Sequence, residues 1–555
     1  MTATPTRPAP TPPALWRPGT AISALLGIVA VALTMGLAEL LAAVGQYFNL
    51  LGSAASPLNS LGGAFIDLTP QWLKQYAVDT FGTNDKLALR TSMVLVLIVL
   101  AAGVGVLARW RRSWALGVVV VLVAVTLVAV YTRTGASAVD GLPVVIGAVA
   151  GGWLLLRSFA PASAPGAGAA TDEAGADREP VAWAGSRPLV RSAAVGPQRS
   201  APDRRGFFRL AGLAGAAAVV AGVVARWIPN SAQVQASRAK VAVSTALTKV
   251  KIPAGADLNV NGLSPFVTPN ANFYRIDTAL TPPRLRAEDW KLRVHGLVDK
   301  EINLDFAALQ ARPQQEHILT LTCVSNDVGG GLIGNASWIG ARIDDLLAEA
   351  GPQAGADCVL CTSIDGFTSS TPLQALTDGR DALLATAMNG EPLPIEHGFP
   401  VRMVVPGLYG YVSATKWVID MQVTKFSEVS AYWTDRGWSE KGPVKTSSRI
   451  DVPGDKSQFD AGHQVTIAGV AWAQHRGIDK VEVQIDNGPW QPATLSEALN
   501  KDTWRQWKLV WTATSGAHTI RCRATDGTGA LQVATEQGVI PDGATGYDVR
   551  KLTVR

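Results

Sequence analysis

Leu319-Thr-Leu-Thr-Cys323-Val-Ser-Asn326-Asp-Val-Gly-Gly-Gly-Leu-Ile-Gly-Asn335-Ala-Ser-Trp338-Ile-Gly340 is the stretch from which the rest of the chain is read. Its opening alternation of apolar residues with threonine predicts a strand. The strand delivers one cysteine and then breaks into a glycine-rich loop. A lone cysteine is ordinarily a small, inert core residue. A thiol presented at a strand end above a flexible loop suits a metal ligand better, because a deprotonated thiol is a soft, anionic donor.

Three further stretches supply polar and cationic groups in order. They are Thr268-Pro-Asn270-Ala-Asn272-Phe-Tyr274-Arg275, then Met388-Asn-Gly-Glu-Pro-Leu-Pro394 running on through His397-Gly-Phe-Pro-Val-Arg402, then Pro406-Gly-Leu-Tyr-Gly410-Tyr-Val-Ser-Ala414-Thr415-Lys416-Trp417. Taken singly, each is no more than a turn or a surface group. In this order, with the cysteine segment between the first and second, they resemble the sulfite-oxidase family of molybdopterin enzymes over roughly residues 262–535. The resemblance implies a molybdenum–molybdopterin cofactor with Cys323 as metal ligand. It also implies Asn272 and Tyr274 lining the pterin, and cofactor contacts from Ser363, His397 and Arg402. Lys416, with the backbone of Ala414 and Thr415, matches the phosphate-binding turn. Arg275 matches an arginine that helps hold an anionic substrate.

Two departures bear on the substrate. Where typical members follow the cysteine with Asn and two basic residues, this chain has Asn326-Asp327-Val328, and Phe367 stands at a tyrosine position. The anion pocket is therefore expected to be incomplete, with Asp327 repelling an anion if it faces the pocket. Arg380 or Arg436 could compensate. A pocket near Trp338 and Phe367 should favour a larger, less charged substrate than sulfite.

Outside that region the chain is markedly apolar at its start. Ala21–Val44, Ser92–Ala108 and Trp114–Tyr131 each suit a bilayer span, and Gly141–Leu156 is a shorter candidate. Glu39 within the first marks either a transport path or a structural pairing, and Pro70–Tyr76 could start an interfacial helix. Arg109-Trp-Arg-Arg112 places the loop between the second and third spans, and hence the N-terminus, on the cytoplasmic side. Residues 157–202 read as a disordered linker. Asp203-Arg204-Arg205-Gly-Phe-Phe-Arg-Leu210, followed by an apolar run, resembles a twin-arginine export signal placed internally. An ordinary arginine flank of a fifth span is the alternative. All six histidines lie at or beyond His295, so residues 1–294 cannot ligate a bis-histidine haem. Charged residues make up only 17% and the net charge is +5, with no basic stripe carrying interleaved aromatics, which argues against a nucleic-acid partner. Four cysteines are too few for a disulfide scaffold, and Cys358-Val-Leu-Cys361 lacks the second pair of a zinc site. From Pro453, short strands at regular spacing (Gln464–Ala471, Lys480–Asp486, Thr519–Thr525) predict an immunoglobulin-like β-sandwich.

The expected organisation is a helical membrane bundle of about five spans, an α+β molybdopterin domain and a C-terminal sandwich. The boundaries are 1–157 for four spans, 158–206 for the linker, 207–227 for the fifth span, 228–452 for the oxidoreductase domain and 453–555 for the sandwich. The expected function is two-electron oxygen-atom transfer on a small molecule other than sulfite, by an enzyme anchored in the cell membrane with its catalytic domain extracytoplasmic. The expected partners are membrane lipid, a separate redox partner (a cytochrome or quinone-linked protein) and a second copy through the sandwich. An S- or N-oxide reductase of the same fold is the alternative within enzymes. A metal-free membrane scaffold or transporter, or an adhesive module using the sandwich, is the alternative outside them.

Overall fold

The computed structural model describes residues 19–70, 85–159 and 230–555, apart from Asn49, Thr134 and Gly135, with isolated positions elsewhere. The N-terminal tail, the linker, the twin-arginine-like motif, almost all of the fifth apolar stretch and most of Pro70–Tyr76 lie outside the described residues.

The N-terminal unit contains α1 (Thr20–Tyr47), α2 (Pro57–Leu68), α3 (Asp85–Trp110), α4 (Arg112–Tyr131) and α5 (Leu142–Ser158). Among the described residues, three helices (α1, α3 from Leu87 and α4) are long and apolar enough to cross a membrane, against the five spans expected. The 17 residues of α5 rise only about 26 Å, short of a bilayer core of about 30 Å.

These helices are apolar all round, so no hydrophobic stripe selects their contacts, and small residues do so instead. A Cβ on Gly27 of α1 would lie 2.0 Å from the carbonyl oxygen of Ala101 in α3. One on Gly147 of α5 would lie 2.3 Å from that of Thr34 in α1. Glu39 proves to be a structural pairing: its carboxylate accepts the Ser56 hydroxyl at 2.9 Å and the Leu58 N–H at 2.7 Å, which anchors the start of α2.

The bundle has two distinguishable ends. At one, Arg109 donates to the Thr20 hydroxyl at 2.7 Å. At the other, Asp67 accepts from Arg133 at 2.6 Å and from the hydroxyl of Tyr432, in the soluble region, at 3.0 Å. Arg90 donates to the Leu280 carbonyl at 2.7 Å. The soluble region is thus seated on the end away from Arg109–Arg112.

That region is built on one mixed and one antiparallel sheet, from β1 (Lys291–Gly296), β2 (Ile302–Asp305), β3 (Gln314–Thr322), β4 (Ile333–Arg342), β5 (Cys358–Ser363), β6 (Thr368–Pro372), β7 (Leu383–Met388), β8 (Glu391–Pro392), β9 (Arg402–Val404) and β10 (Val418–Thr424). One sheet runs β2-β1-β10-β5-β6, and the other β3-β4-β7-β8 with β9 on β7. The quoted stretch is the β3–β4 hairpin, with Thr322 opposite Ile333 and Cys323 at the first position of the connecting loop. Cys358 and Cys361 are both buried in β5, and their odd spacing sends them to opposite faces, so they cannot share one ligand. No group of three or more metal-ligating side chains occurs among the described residues.

The sandwich begins at Ser447, not Pro453, because Ser447–Val452 pairs antiparallel with Gln464–Trp472. Its two sheets enclose a core that includes Ile467, Val483, Trp507 and Ile520. It also covers the open edge of β3. Thr320 N–H donates to the Asp502 carbonyl at 3.0 Å, Gln474 Nε2 donates to the Thr322 hydroxyl at 2.8 Å, and Asn500 Nδ2 donates to the Ile318 carbonyl at 3.0 Å. The loop after Cys323 is held from the same side, since Arg449 donates to the Gly330 carbonyl at 2.8 Å.

Candidate active site

One cavity gathers side chains from every stretch singled out in the sequence. Tyr274, Cys323, Ser363, His397, Arg402, Ala414 and Lys416 all line it. Cys323 arrives from the end of β3, its N–H bound to the Leu332 carbonyl at 2.9 Å and its carbonyl to Asn326 N–H at 3.1 Å. Asn326 Oδ1 accepts the Leu332 N–H at 2.7 Å and closes the loop. Ser363 ends β5, and His397 sits in the 3₁₀ turn Ile395–His397. Arg402 opens β9, and Lys416 lies two residues before β10.

The electrostatics favour an anion and a bound metal. Burial pushes the Cys323 thiol up, against opposing help from Ser325 and Lys416, so a cation is needed to hold it as a thiolate. Arg402 is buried and donates to the carbonyls of His397 (3.1 Å), Met403 (3.3 Å) and Ala414 (3.3 Å), without a carboxylate among those partners. Burial lowers it to about 10. Burial, with the charges of Arg402 and Lys416, lowers His397 to about 4, so its ring is neutral and its Nε2–H donates to the Asn270 carbonyl at 3.2 Å. Burial raises the Tyr274 phenol, which stays protonated. A buried guanidinium with only dipoles around it costs free energy that a phosphate would offset. Thiol, neutral imidazole, phenol and two cations on one cavity wall therefore fit a molybdopterin.

Some expected positions fall elsewhere. Asn272 is exposed at the end of the turn Asn270–Asn272 and outside the cavity wall. Its neighbour Asn270 is the residue that ties the turn down, through Glu391 at 2.6 Å and Asn389 at 2.8 Å. Thr415 is fully buried, with its hydroxyl 2.6 Å from that of Ser369. The Ala414 N–H is bound to the Gly410 carbonyl at 3.0 Å, so it is not open to a phosphate. Arg275 is also absent from the cavity wall, and it pairs with Asp277 at 2.9 Å. Asp327 and Val328 do not line the cavity either. Arg380 is occupied with Asp378 and the Pro406 carbonyl, and Arg436 stacks 3.6 Å over Tyr432. Trp338 stands behind Arg402, whose guanidinium lies 4.9 Å over its ring.

Sequence reasoning missed Asp277, Tyr411, Trp433 and Trp438, which also line the cavity. Asp277 holds Lys416 at 3.0 Å as well as Arg275. Its only sequence signal is its place two residues after Arg275. The tryptophans lie in a loop without periodicity, so no pattern flagged them.

A profile of an oxidoreductase molybdopterin binding domain matches residues 279–433, and one of a bacterial Ig domain matches residues 447–521. Human mitochondrial sulfite oxidase is 30% identical over 310 residues, 47% of this chain and 56% of that protein. The chain therefore spans about half the length of such curated relatives. The oxidoreductase YuiH of Bacillus subtilis (strain 168), described as uncharacterized, is 36% identical over 188 residues, 33% of this chain and 91% of that protein. The chain belongs to the sulfite-oxidase family of molybdopterin oxidoreductases. Among solved structures, the sulfane dehydrogenase SoxCD of Paracoccus pantotrophus aligns with a TM-score of 0.44 at 22% identity, covering 52% of this chain and 80% of that one. Family membership implies a molybdenum–molybdopterin cofactor. In this member of the sulfite-oxidase family the candidate cavity is joined to an apolar helical bundle through Tyr432, the residue before Trp433.

Proposed function

We propose that this protein is a membrane-anchored oxidoreductase that moves an oxygen atom to or from a small, weakly charged molecule, such as an organic sulfoxide or N-oxide, and that sulfite is not its substrate. The observation that carries this reading is Asp277, whose buried carboxylate sits between Arg275 and Lys416 at 2.9 and 3.0 Å. It neutralises part of the charge that a compact dianion would need. Phe367, Trp433 and Trp438 on the same cavity wall supply an apolar contact surface. Cys323 would ligate the metal, Arg402 and Lys416 would hold the phosphate, and Tyr274 would donate a hydrogen bond to bound cofactor or substrate. The bound cofactor supplies the two-electron couple.

The soluble region lies on the bundle end opposite Arg109–Arg112, which supports an outward-facing catalytic domain. Export of that domain after folding, through the Arg204-Arg205 motif, is part of the same reading. Replacing both arginines by lysine should leave residues 228–555 inaccessible to external protease, and unchanged access would count against it. Dimerisation through the sandwich is a further proposal, read by sedimentation of the purified chain.

The test of function is steady-state turnover of the purified holoenzyme, with sulfite and an artificial acceptor, beside sulfoxides and N-oxides with a reduced dye. Turnover of an organic oxide with little sulfite oxidation is expected. Sulfite turnover with kcat/KM above about 10⁵ M⁻¹s⁻¹ would overturn the substrate reading.

A further inference from the structure

A second cavity, of about 630 Å³, lies where the bundle meets the soluble region. The end of α1, the start of α2 and the segment after α4 form one side, and residues 279–286 with the turn at Asp365 form the other. It abuts the cofactor cavity. Asp365 belongs to both, and the consecutive residues Thr278 and Ala279 face one each, so a single layer of chain separates them. Much of the lining is apolar, including Leu50, Leu51, Leu280 and Pro282. Of the side chains with N–H donors that face this space, Gln46, Arg133 and Arg286 donate to Gly52, Asp67 and Asp289, and Asn59, Gln233 and Arg284 remain. None of these three makes a side-chain hydrogen bond or ion pair with a described residue, although Arg284 feels the charge of Glu39.

We propose that this cavity binds a quinone, which exchanges two electrons with the cofactor on the other side of that layer. The proposal rests on the molybdopterin reading above. A carrier that meets this bundle must be soluble in lipid, and it must match a two-electron reaction. The bundle cannot pass electrons through a bis-histidine haem, because residues 1–294 contain no histidine. A quinone meets both demands. Its ring carbonyls are acceptors for Asn59 and Arg284, and its chain is accommodated by the apolar lining. The reaction balances in either direction. Hydroquinone gives up two electrons and two protons, the substrate oxide takes them up and loses its oxygen as water, and quinone remains. In reverse, water supplies the oxygen, and quinone takes up the two electrons and two protons.

The test uses the full-length holoenzyme in detergent micelles, titrated with a photoreactive benzoquinone carrying a decyl chain. One saturable site is expected, with label on peptides spanning residues 46–60 and 279–286. Asn59→Leu and Arg284→Leu should each weaken binding about ten-fold, at molybdenum and pterin contents equal to the parent's. Label confined to other peptides, or affinity unchanged in both variants, would overturn the proposal. So would equal competition by a phospholipid of the same chain length, which marks a site for acyl chains. Pterin present without saturable quinone binding rejects the quinone site alone. A saturable site in a chain that never holds pterin upholds the binding site and rejects the molybdopterin reading on which the coupling rests.

Discussion

Cys323 is the residue proposed as metal ligand, and its position was legible because strand alternation ends one residue before it. Removing an outer partner of a metal ligand typically costs about 10–100-fold in affinity or activity, and losing the ligand itself should cost more. Cys323→Ser is expected to keep most of its pterin, lose more than about 100-fold of turnover and alter the metal's paramagnetic spectrum. Full activity in that variant would show that the thiol is a bystander. His397 makes a separate prediction about pH. Its folded-state value lies near 4 against an ordinary 6.5, so the unfolded chain binds the proton more readily. Its neutral ring costs nothing above about pH 6.5, and stability falls as pH drops from there towards 4, by about 3 kcal/mol in all. His397→Gln keeps a donor for the Asn270 carbonyl and removes the titration. Its melting temperature should vary less over this window than the parent's, at equal cofactor loading. Coincident curves would exclude His397 as the source. Residues such as Cys323, Arg402 and Lys416 were readable because their chemistry is distinctive and their neighbours are ordered motifs. Asp277 was not, since beside Arg275 it reads as a local surface pair and gains its role only when folding brings Lys416 to it from 139 residues away.

At the scale of elements, the β3–β4 hairpin, the strand at 291–296 and the sandwich strands followed from period-two patterns. The sandwich boundary was read six residues late, because Pro453 ends Ser447–Val452 with a break that reads as a boundary, and the strand is assigned by its partner Gln464–Trp472. The long apolar helices followed from hydropathy, but their packing was hidden, since uniformly apolar helices show no face. Glycine placement decides it. Gly27→Leu should break the α1–α3 contact and destabilise the bundle by about 1–3 kcal/mol or more, read by denaturant titration in micelles. Gly103→Leu, in the partner helix α3, is the control, as a Cβ there meets no atom within 4 Å. Equal loss in both variants would refute packing through Gly27. Helix propensity alone favours leucine at either site, so a difference between them isolates the close approach.

For the whole molecule, Asp67 is the junction that joins bundle and catalytic region, through Arg133, Tyr432 and, at 3.8 Å, Arg436. Asp67→Asn should raise hydrogen exchange across residues 431–438 by about ten-fold, the equivalent of about 1.4 kcal/mol. It should also change the KM of substrate, because Trp433 lines the cavity. Unaltered exchange there would mean that the two regions are held by other contacts. The edge of β3 carries a consequence of another kind. Its backbone groups at Ile318 and Thr320 are covered by side chains and main chain from residues 474–504, all made after the two sheets are complete, while the Gln314 carbonyl at its far end is met by the earlier Leu247 N–H. A ribosome therefore releases the hairpin with the cysteine end of that flank bare, and an unpaired strand edge recruits other strands. A nascent chain stalled before residue 474 should depend on chaperones and aggregate without them. The later-made sandwich thus serves as the latch that makes the cysteine-bearing strand safe from its own neighbours in the polysome.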